Sequence, residues 1–236
     1  MKVQLMLTCL CDAFYGEVGI AAAKVLNACG CEVIFPTDQT CCGQPPFNSG
    51  DWDSARVIAD RFRTVFDPAV PIITPSGSCA AMVREGFAQL TPELPHIECY
   101  EIGEFLVKRL GVHSVPGAVG PASVTRVAFH RACHGRGLGL KDEQERLLSS
   151  VPNIELVDFG QPEQCCGFGG AFSATHGSIS HGIGIEKLRN VAASGASILA
   201  SGDMGCLMHL SGLIRRESLS LETKHYLELM AEGLPE

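Results

Sequence analysis

The chain carries one cysteine frame twice. Cys9, Cys41, Cys42 and Gly43 recur at Cys133, Cys165, Cys166 and Gly167, each 124 positions further on. A later cysteine completes each set, Cys79 in the first and Cys206 in the second. Eight of the 12 cysteines therefore fall into two matched groups of four. Packing alone gives no reason for adjacent cysteines at a repeated spacing. The frame calls for a duplicated unit in which thiols converge within each copy, and it limits the folds to those that bring three distant segments to one place.

With 236 residues the chain has room for one domain or two, and the duplication favours two. At 46% hydrophobic residues it can bury a substantial core, so folding needs no disulfide staple. A net charge of −8, with no basic cluster beyond Arg215-Arg216, argues against nucleic acid as a partner. The start, Met1 to Thr8, lacks a signal peptide's long apolar core and cleavage site. No apolar run approaches the roughly 20 residues that span a bilayer, so no transmembrane segment is expected. These features place the protein in the cytoplasm, where thiols stay reduced and repeated cysteines read as metal or catalytic sites.

The pattern between the cysteines alternates strand and helix. In the first half, strands are expected over Val3–Leu7, Glu32–Phe35 and Pro71–Thr74, with helices over Glu17–Ala28, Asp51–Phe66 and Gly103–Leu110. In the second half, the strands are Val124–Phe129, Ile154–Val157 and Ser197–Ala200, with helices over Glu143–Ser150, Ile179–Ala193 and onward from Cys206. The expected fold class is α/β, with two pseudo-repeated three-layer units of mostly parallel sheet. The halves are expected at 1–114 and 122–236, joined by the Pro- and Gly-rich linker 115–121. The tails suggest a further match at an offset of 121, pairing Glu101 with Glu222, Phe105 with Tyr226 and Leu106 with Leu227. In such folds function sits beyond the carboxyl ends of the strands. Every cysteine of the frame falls at such an end or in the loop that follows.

Isolated cysteine is usually a small core residue, and that reading suits Cys11, Cys29, Cys31 and Cys99, which have no counterparts. For the repeated eight, two metal readings stand. Structural zinc would take four thiolates in a tetrahedron, but adjacent cysteines are hard to aim at one small ion. An iron–sulfur cluster in each half lets neighbouring thiolates reach different irons. Gly43, Gly167, Gly169 and Gly170 would bring backbone N–H groups close to sulfide. A third reading is thiol–disulfide chemistry by a cluster-free Cys41-Cys42 pair, which leaves the outlying cysteines unexplained.

The stretches Thr40-Cys41-Cys42-Gly43-Gln44-Pro45, Pro75 to Arg84, Cys165-Cys166-Gly167-Phe168-Gly169-Gly170 and Gly202 to Met208 resemble the motifs of the cysteine-rich CCG domain family. That family includes the cysteine-rich subunit of heterodisulfide reductase and glycolate oxidase iron–sulfur subunits, and the likeness is strongest to its lactate-utilization branch. The resemblance spans essentially the whole chain. It implies a cytoplasmic iron–sulfur protein, with one cluster per half and a 4Fe-4S type expected, acting in oxidation of L-lactate to pyruvate. Its implied partners are a ferredoxin-type iron–sulfur subunit and a third small subunit. A heterodisulfide-type reductase subunit and a zinc-binding assembly subunit are the alternatives. In heterodisulfide reductase the domain ends in Cys-x-x-Cys. Here Ser76 and Asp203 stand in the first position of that pair, as possible oxygen ligands, and the lactate-utilization branch shares the serine.

Other polar candidates lie near the second frame. His130 and His134 flank Cys133, either as polar groups at the sheet edge or as donors to a thiolate. His176 and His181 suit a helix start or the surface. Arg131 and Arg136 could grip a substrate carboxylate or simply be solvated. Gly135-Arg136-Gly137-Leu138-Gly139 lacks the dinucleotide spacing, so neither NAD nor FAD is expected.

Overall fold

A computed structural model describes residues 1–235. The first half contains β1 (Lys2–Leu5), α1 (Cys9–Phe14), α2 (Gly16–Ala28), β2 (Glu32–Ile34), α3 (Gln44–Asn48) and α4 (Trp52–Val65). It continues with β3 (Ile72–Thr74), α5 (Gly77–Ala81), a widened turn over Met82–Gly86, α6 (Phe87–Leu90), β4 (Cys99–Glu101) and α7 (Ile102–Glu104). The second half contains β5 (Thr125–His130), α8 (Cys133–Gly137), α9 (Glu143–Ser149), β6 (Ile154–Val157), α10 (Ala171–Thr175) and α11 (Gly177–Ala193). It ends with β7 (Ile198–Ser201), α12 (Met204–Arg216), β8 (Glu222–His225) and α13 (Tyr226–Ala231).

The strands form two four-stranded sheets, ordered β2-β1-β3-β4 and β6-β5-β7-β8, and every pairing is parallel. Parallel strands need crossovers, and helices supply them on both faces, so the central strands are largely buried. β3 (Ile-Ile-Thr) and β7 (Ile-Leu-Ala-Ser) are buried at every position. The order reverses between β1 and β3, and again between β5 and β7. This is the crevice where open α/β sheets place their ligands.

The expected strands and helices are present with shifted ends: β1 stops at Leu5, and the helix expected from Gly103 starts at Ile102. The fourth strand of each sheet, β4 or β8, is an element the sequence pattern did not give. These two strands also correct the tail register. Thr74 pairs with Glu101 in one sheet and Ser201 with His225 in the other. Glu101 and His225 each then cap the next helix, accepting from the N–H of Glu104 and of Leu227 respectively. Glu101 therefore matches His225, not Glu222, and Phe105 and Leu106 match Leu229 and Met230. The tails keep the offset of 124. The apolar coincidences at 121 were misleading because one helical turn of slip leaves an amphipathic pattern almost unchanged.

The halves pack reciprocally. α2 packs on α13, and its counterpart α9 packs on α7. One apolar cluster runs through both, with Val3, Leu5, Ile73 and Phe105 from the first half and Val127, Phe129, Ala200 and Tyr226 from the second. Across the junction the Tyr226 hydroxyl donates to Glu101 Oε1 at 2.7 Å, and His225 Nε2 lies 2.9 Å from the Pro75 carbonyl. No helix among the described residues is long and apolar enough to cross a membrane.

Candidate metal centres

Each frame folds in the same way. Cys9 and Cys133 open the helices that follow β1 and β5. Cys79 and Cys206 sit at the third position of the helices that follow β3 and β7. Cys41-Cys42 and Cys165-Cys166 occupy the loops after β2 and β6, each ahead of a glycine with positive φ. All eight thiols thus come from loops or first helical turns at the carboxyl ends of three adjacent strands. There, free N–H groups and the positive ends of helices favour anionic sulfur.

In the first half Cys9 Sγ lies 3.7 Å from Cys41 Sγ, and Cys42 Sγ lies 3.4 Å from Cys79 Sγ. The Gly43 N–H donates to Cys41 Sγ at 3.4 Å. The thiol of Cys9 also donates to Cys41, and the neighbouring thiols of Cys42 and Cys9 hold the Cys41 pKa far below the usual thiol value. Cys42 is pushed up by its hydrogen bonds to Cys41 and Cys79 and by burial. In the second half Cys166 Sγ lies 2.9 Å from Cys206 Sγ, and the N–H groups of Gly167 and Phe168 donate to Cys165 and Cys166 at 3.3 and 3.5 Å. Cys133 Sγ lies 3.7 Å from His134 Nδ1. That contact lowers the thiol's pKa and raises the imidazole's.

The second half differs in its polar surroundings. His130 is 2% exposed, and its ring lies by Cys166 and Cys206 instead of by its sequence neighbour Cys133. Burial holds its pKa down to about 3, with the Lys187 charge adding to the effect, so the ring is neutral. Lys187 is fully buried, and its Nζ donates to the carbonyls of Gln164 at 2.9 Å and of Gln161 and Pro162 at 3.4 Å. The first half has apolar Met6 in the place of His130. Lys187 is the buried charged residue beside this site that sequence reading missed. A lysine with apolar helix neighbours, Leu188 and Val191, was the available signal.

Ser76 and Asp203 are engaged as helix caps. Ser76 Oγ accepts from the Cys79 N–H at 3.3 Å. Asp203 Oδ1 accepts from Gly205 and Cys206 at 3.1 and 3.4 Å, and Oδ2 accepts across the junction from the Ser78 N–H at 3.0 Å. That last bond brings the two thiol sets to the same junction.

Arg131 is held bidentately by Glu145 at 2.7 and 3.1 Å, and Arg136 lies 3.3 Å from Glu163, so neither stands free to take a carboxylate. His176 precedes α11, and His181 pairs with Glu217 at the surface. Cys11, Cys31 and Cys99 are buried in apolar clusters, and Cys29 packs against one. The donor set of each half, four sulfurs with backbone N–H groups aimed at them, fits a soft metal or an iron–sulfur group.

The family model for the cysteine-rich CCG domain matches the chain twice, over residues 3–84 and 127–211. Each match takes in the first three strands of one sheet and its thiol set, and together they define the class as a tandem of cysteine-rich domains. Lactate utilization protein A 2 of Bacillus cereus (strain AH820) is 38% identical over 244 residues, covering 99% of either chain. Lactate utilization protein A of Oceanobacillus iheyensis is 38% identical over 240 residues, covering 98% of this chain and 96% of its own. The chain belongs to the lactate utilization protein A family of CCG cysteine-rich proteins. In fold it is similar to the crystal structure of a hypothetical protein from Helicobacter pylori, with a TM-score of 0.61 at 10% identity. That match takes in the whole of this chain and 49% of the other, so this chain spans about half its length.

Proposed function

We propose that this chain is the iron–sulfur electron-transfer subunit of a cytoplasmic complex that oxidises L-lactate to pyruvate. The observation that carries the reading is the convergence, in each half, of four thiols at the carboxyl edge of a parallel sheet. Its ligands are Cys9, Cys41, Cys42 and Cys79 in the first half and Cys133, Cys165, Cys166 and Cys206 in the second. The names of the relatives supply the substrate. Oxidation of L-lactate to pyruvate releases two electrons and two protons. When bound, one 4Fe-4S cluster per half supplies a one-electron couple, so the pair accommodates both electrons.

The chain's own part is to hold two anionic groups, each over a buried pair of thiols, Cys42 with Cys79 and Cys166 with Cys206. The N–H groups of Gly43, Gly167 and Phe168 point at ligand sulfurs. Ser76 and Asp203 order the helix starts that carry Cys79 and Cys206. Both sets border the junction between the halves, which suits exchange of electrons between them. A ferredoxin-type iron–sulfur subunit takes the electrons onward, and a third small subunit completes the complex.

The test is anaerobic purification followed by iron, acid-labile sulfide and visible absorption. About eight irons and eight sulfides per chain are expected for two four-iron clusters. Cys42→Ala and Cys166→Ala should each remove about half of the iron. Stoichiometric zinc with no sulfide would overturn the cluster reading. Unimpaired growth on lactate after deletion of the gene would overturn the substrate.

A further inference from the structure

We propose that His130 supplies, through Nε2, an imidazole ligand to an iron of the second half's cluster, a donor for which the first half has no equivalent. The inference rests on the cluster reading above and adds a fifth donor to its four thiolates, so that one iron of the second cluster carries two protein ligands.

Four observations carry it. His130 Nδ1 lies 3.3 Å from the Pro162 carbonyl oxygen. A carbonyl only accepts, so Nδ1 holds the proton and Nε2 presents its lone pair. Second, Nε2 is buried and has no hydrogen-bond partner, which for a buried polar atom calls for an explanation. Third, a ligand nitrogen of His130 and the Sγ atoms of Cys166 and Cys206 all lie within 4.8 Å of one another, and all three residues are buried. A metal-binding histidine characteristically donates its second N–H to a backbone carbonyl, and the arrangement here matches that pattern. Fourth, the carbonyl is itself fixed. It accepts from the Arg131 N–H at 3.1 Å and from Lys187 Nζ at 3.4 Å, so the buried lysine acts as a positioning residue for the ring.

The first half shows what the same place looks like without a ligand. Met6 leads into Cys9 as His130 leads into Cys133, and its N–H pairs with Ile73 at the matching position of the sheet. Its side chain is fully buried in the apolar cluster that includes Cys42 and Cys79. The second site thus has a mixed nitrogen–sulfur donor set, and the first has sulfur alone.

The experiment uses the full chain, grown with 15N-labelled histidine or without it, loaded with iron, reduced and measured by pulsed EPR. The expected result is a histidine nitrogen coupling of directly bound imidazole that switches from the 14N to the 15N pattern on labelling. It should be lost in His130→Met, which copies the first half, while the iron of the first half is retained. Iron and sulfide present with no histidine coupling in the wild type would overturn the inference and leave the cluster reading standing. So would a coupling that survives His130→Met and disappears in His134→Asn. A wild-type chain that takes up no iron would overturn both. If His130→Met fails to fold, His134→Asn still tests the inference, because the coupling must survive that substitution.

Discussion

Gly43 and Gly167 hold the same place after the cysteine pair, with φ of +83° and +90°, yet a methyl group would meet different surroundings at each. At Gly43 a Cβ would meet the Ile58 side chain at 3.3 Å, which can yield. At Gly167 it would meet the Ser180 carbonyl oxygen at 2.5 Å, and backbone cannot step aside cheaply. Both substitutions carry the left-handed penalty of about 1–2 kcal/mol, and only Gly167→Ala adds a clash with backbone. Chemical denaturation should therefore find Gly167→Ala the less stable by at least about 1 kcal/mol; equal losses would refute the assignment. At this scale the cysteines and glycines were legible because spacing alone marks them. The roles of His130 and Lys187 were not, since each depends on a carbonyl contributed by a distant loop.

β4 and β8 are the elements the sequence hid. Cys99-Tyr100-Glu101 and Glu222-Thr223-Lys224-His225 are short edge strands with polar residues, so no apolar run announces them. Their last residues cap the following helices and lie buried at the junction, and both titrate abnormally. Burial raises Glu101 from 4.5 to about 7, against a hydrogen bond from Tyr226 that lowers it. Burial lowers His225 from 6.5 to about 4. A carboxyl with a raised folded pKa contributes stability that is whole below pH 4.5 and is lost as pH climbs through 7. An imidazole with a depressed one contributes stability that is whole above 6.5 and is lost as pH falls toward 4. Between pH 4.5 and 6.5 the two slopes oppose, and above 6.5 only Glu101 acts. Glu101→Gln keeps the shape and removes the titration. Its stability relative to the wild type should rise by up to about 3 kcal/mol between pH 4.5 and 7.5. Parallel pH profiles in urea denaturation would show that Glu101 stays ionised or is compensated.

Across the whole molecule, the halves share one core. The cluster that holds Val3 and Ile73 also holds Val127 and Tyr226, and α2 and α9 each cover the other half's terminal helix. Neither sheet buries its inner face alone. Calorimetry of the metal-free chain should therefore show a single unfolding transition, with calorimetric and van't Hoff enthalpies in agreement. Two resolved transitions would mean that the halves fold independently. By itself the sequence determined the duplication, the α/β class and the eight sulfurs, because the 124-residue offset and the strand–helix alternation are properties of the chain order. The tertiary structure decided the rest. The tail register depends on strand pairing, which one turn of helical slip conceals. The occupation of Ser76 and Asp203 as caps depends on backbone N–H directions. The unlike surroundings of the two thiol sets depend on which side chains meet in space, His130 over Lys187 in one half and Met6 in the other.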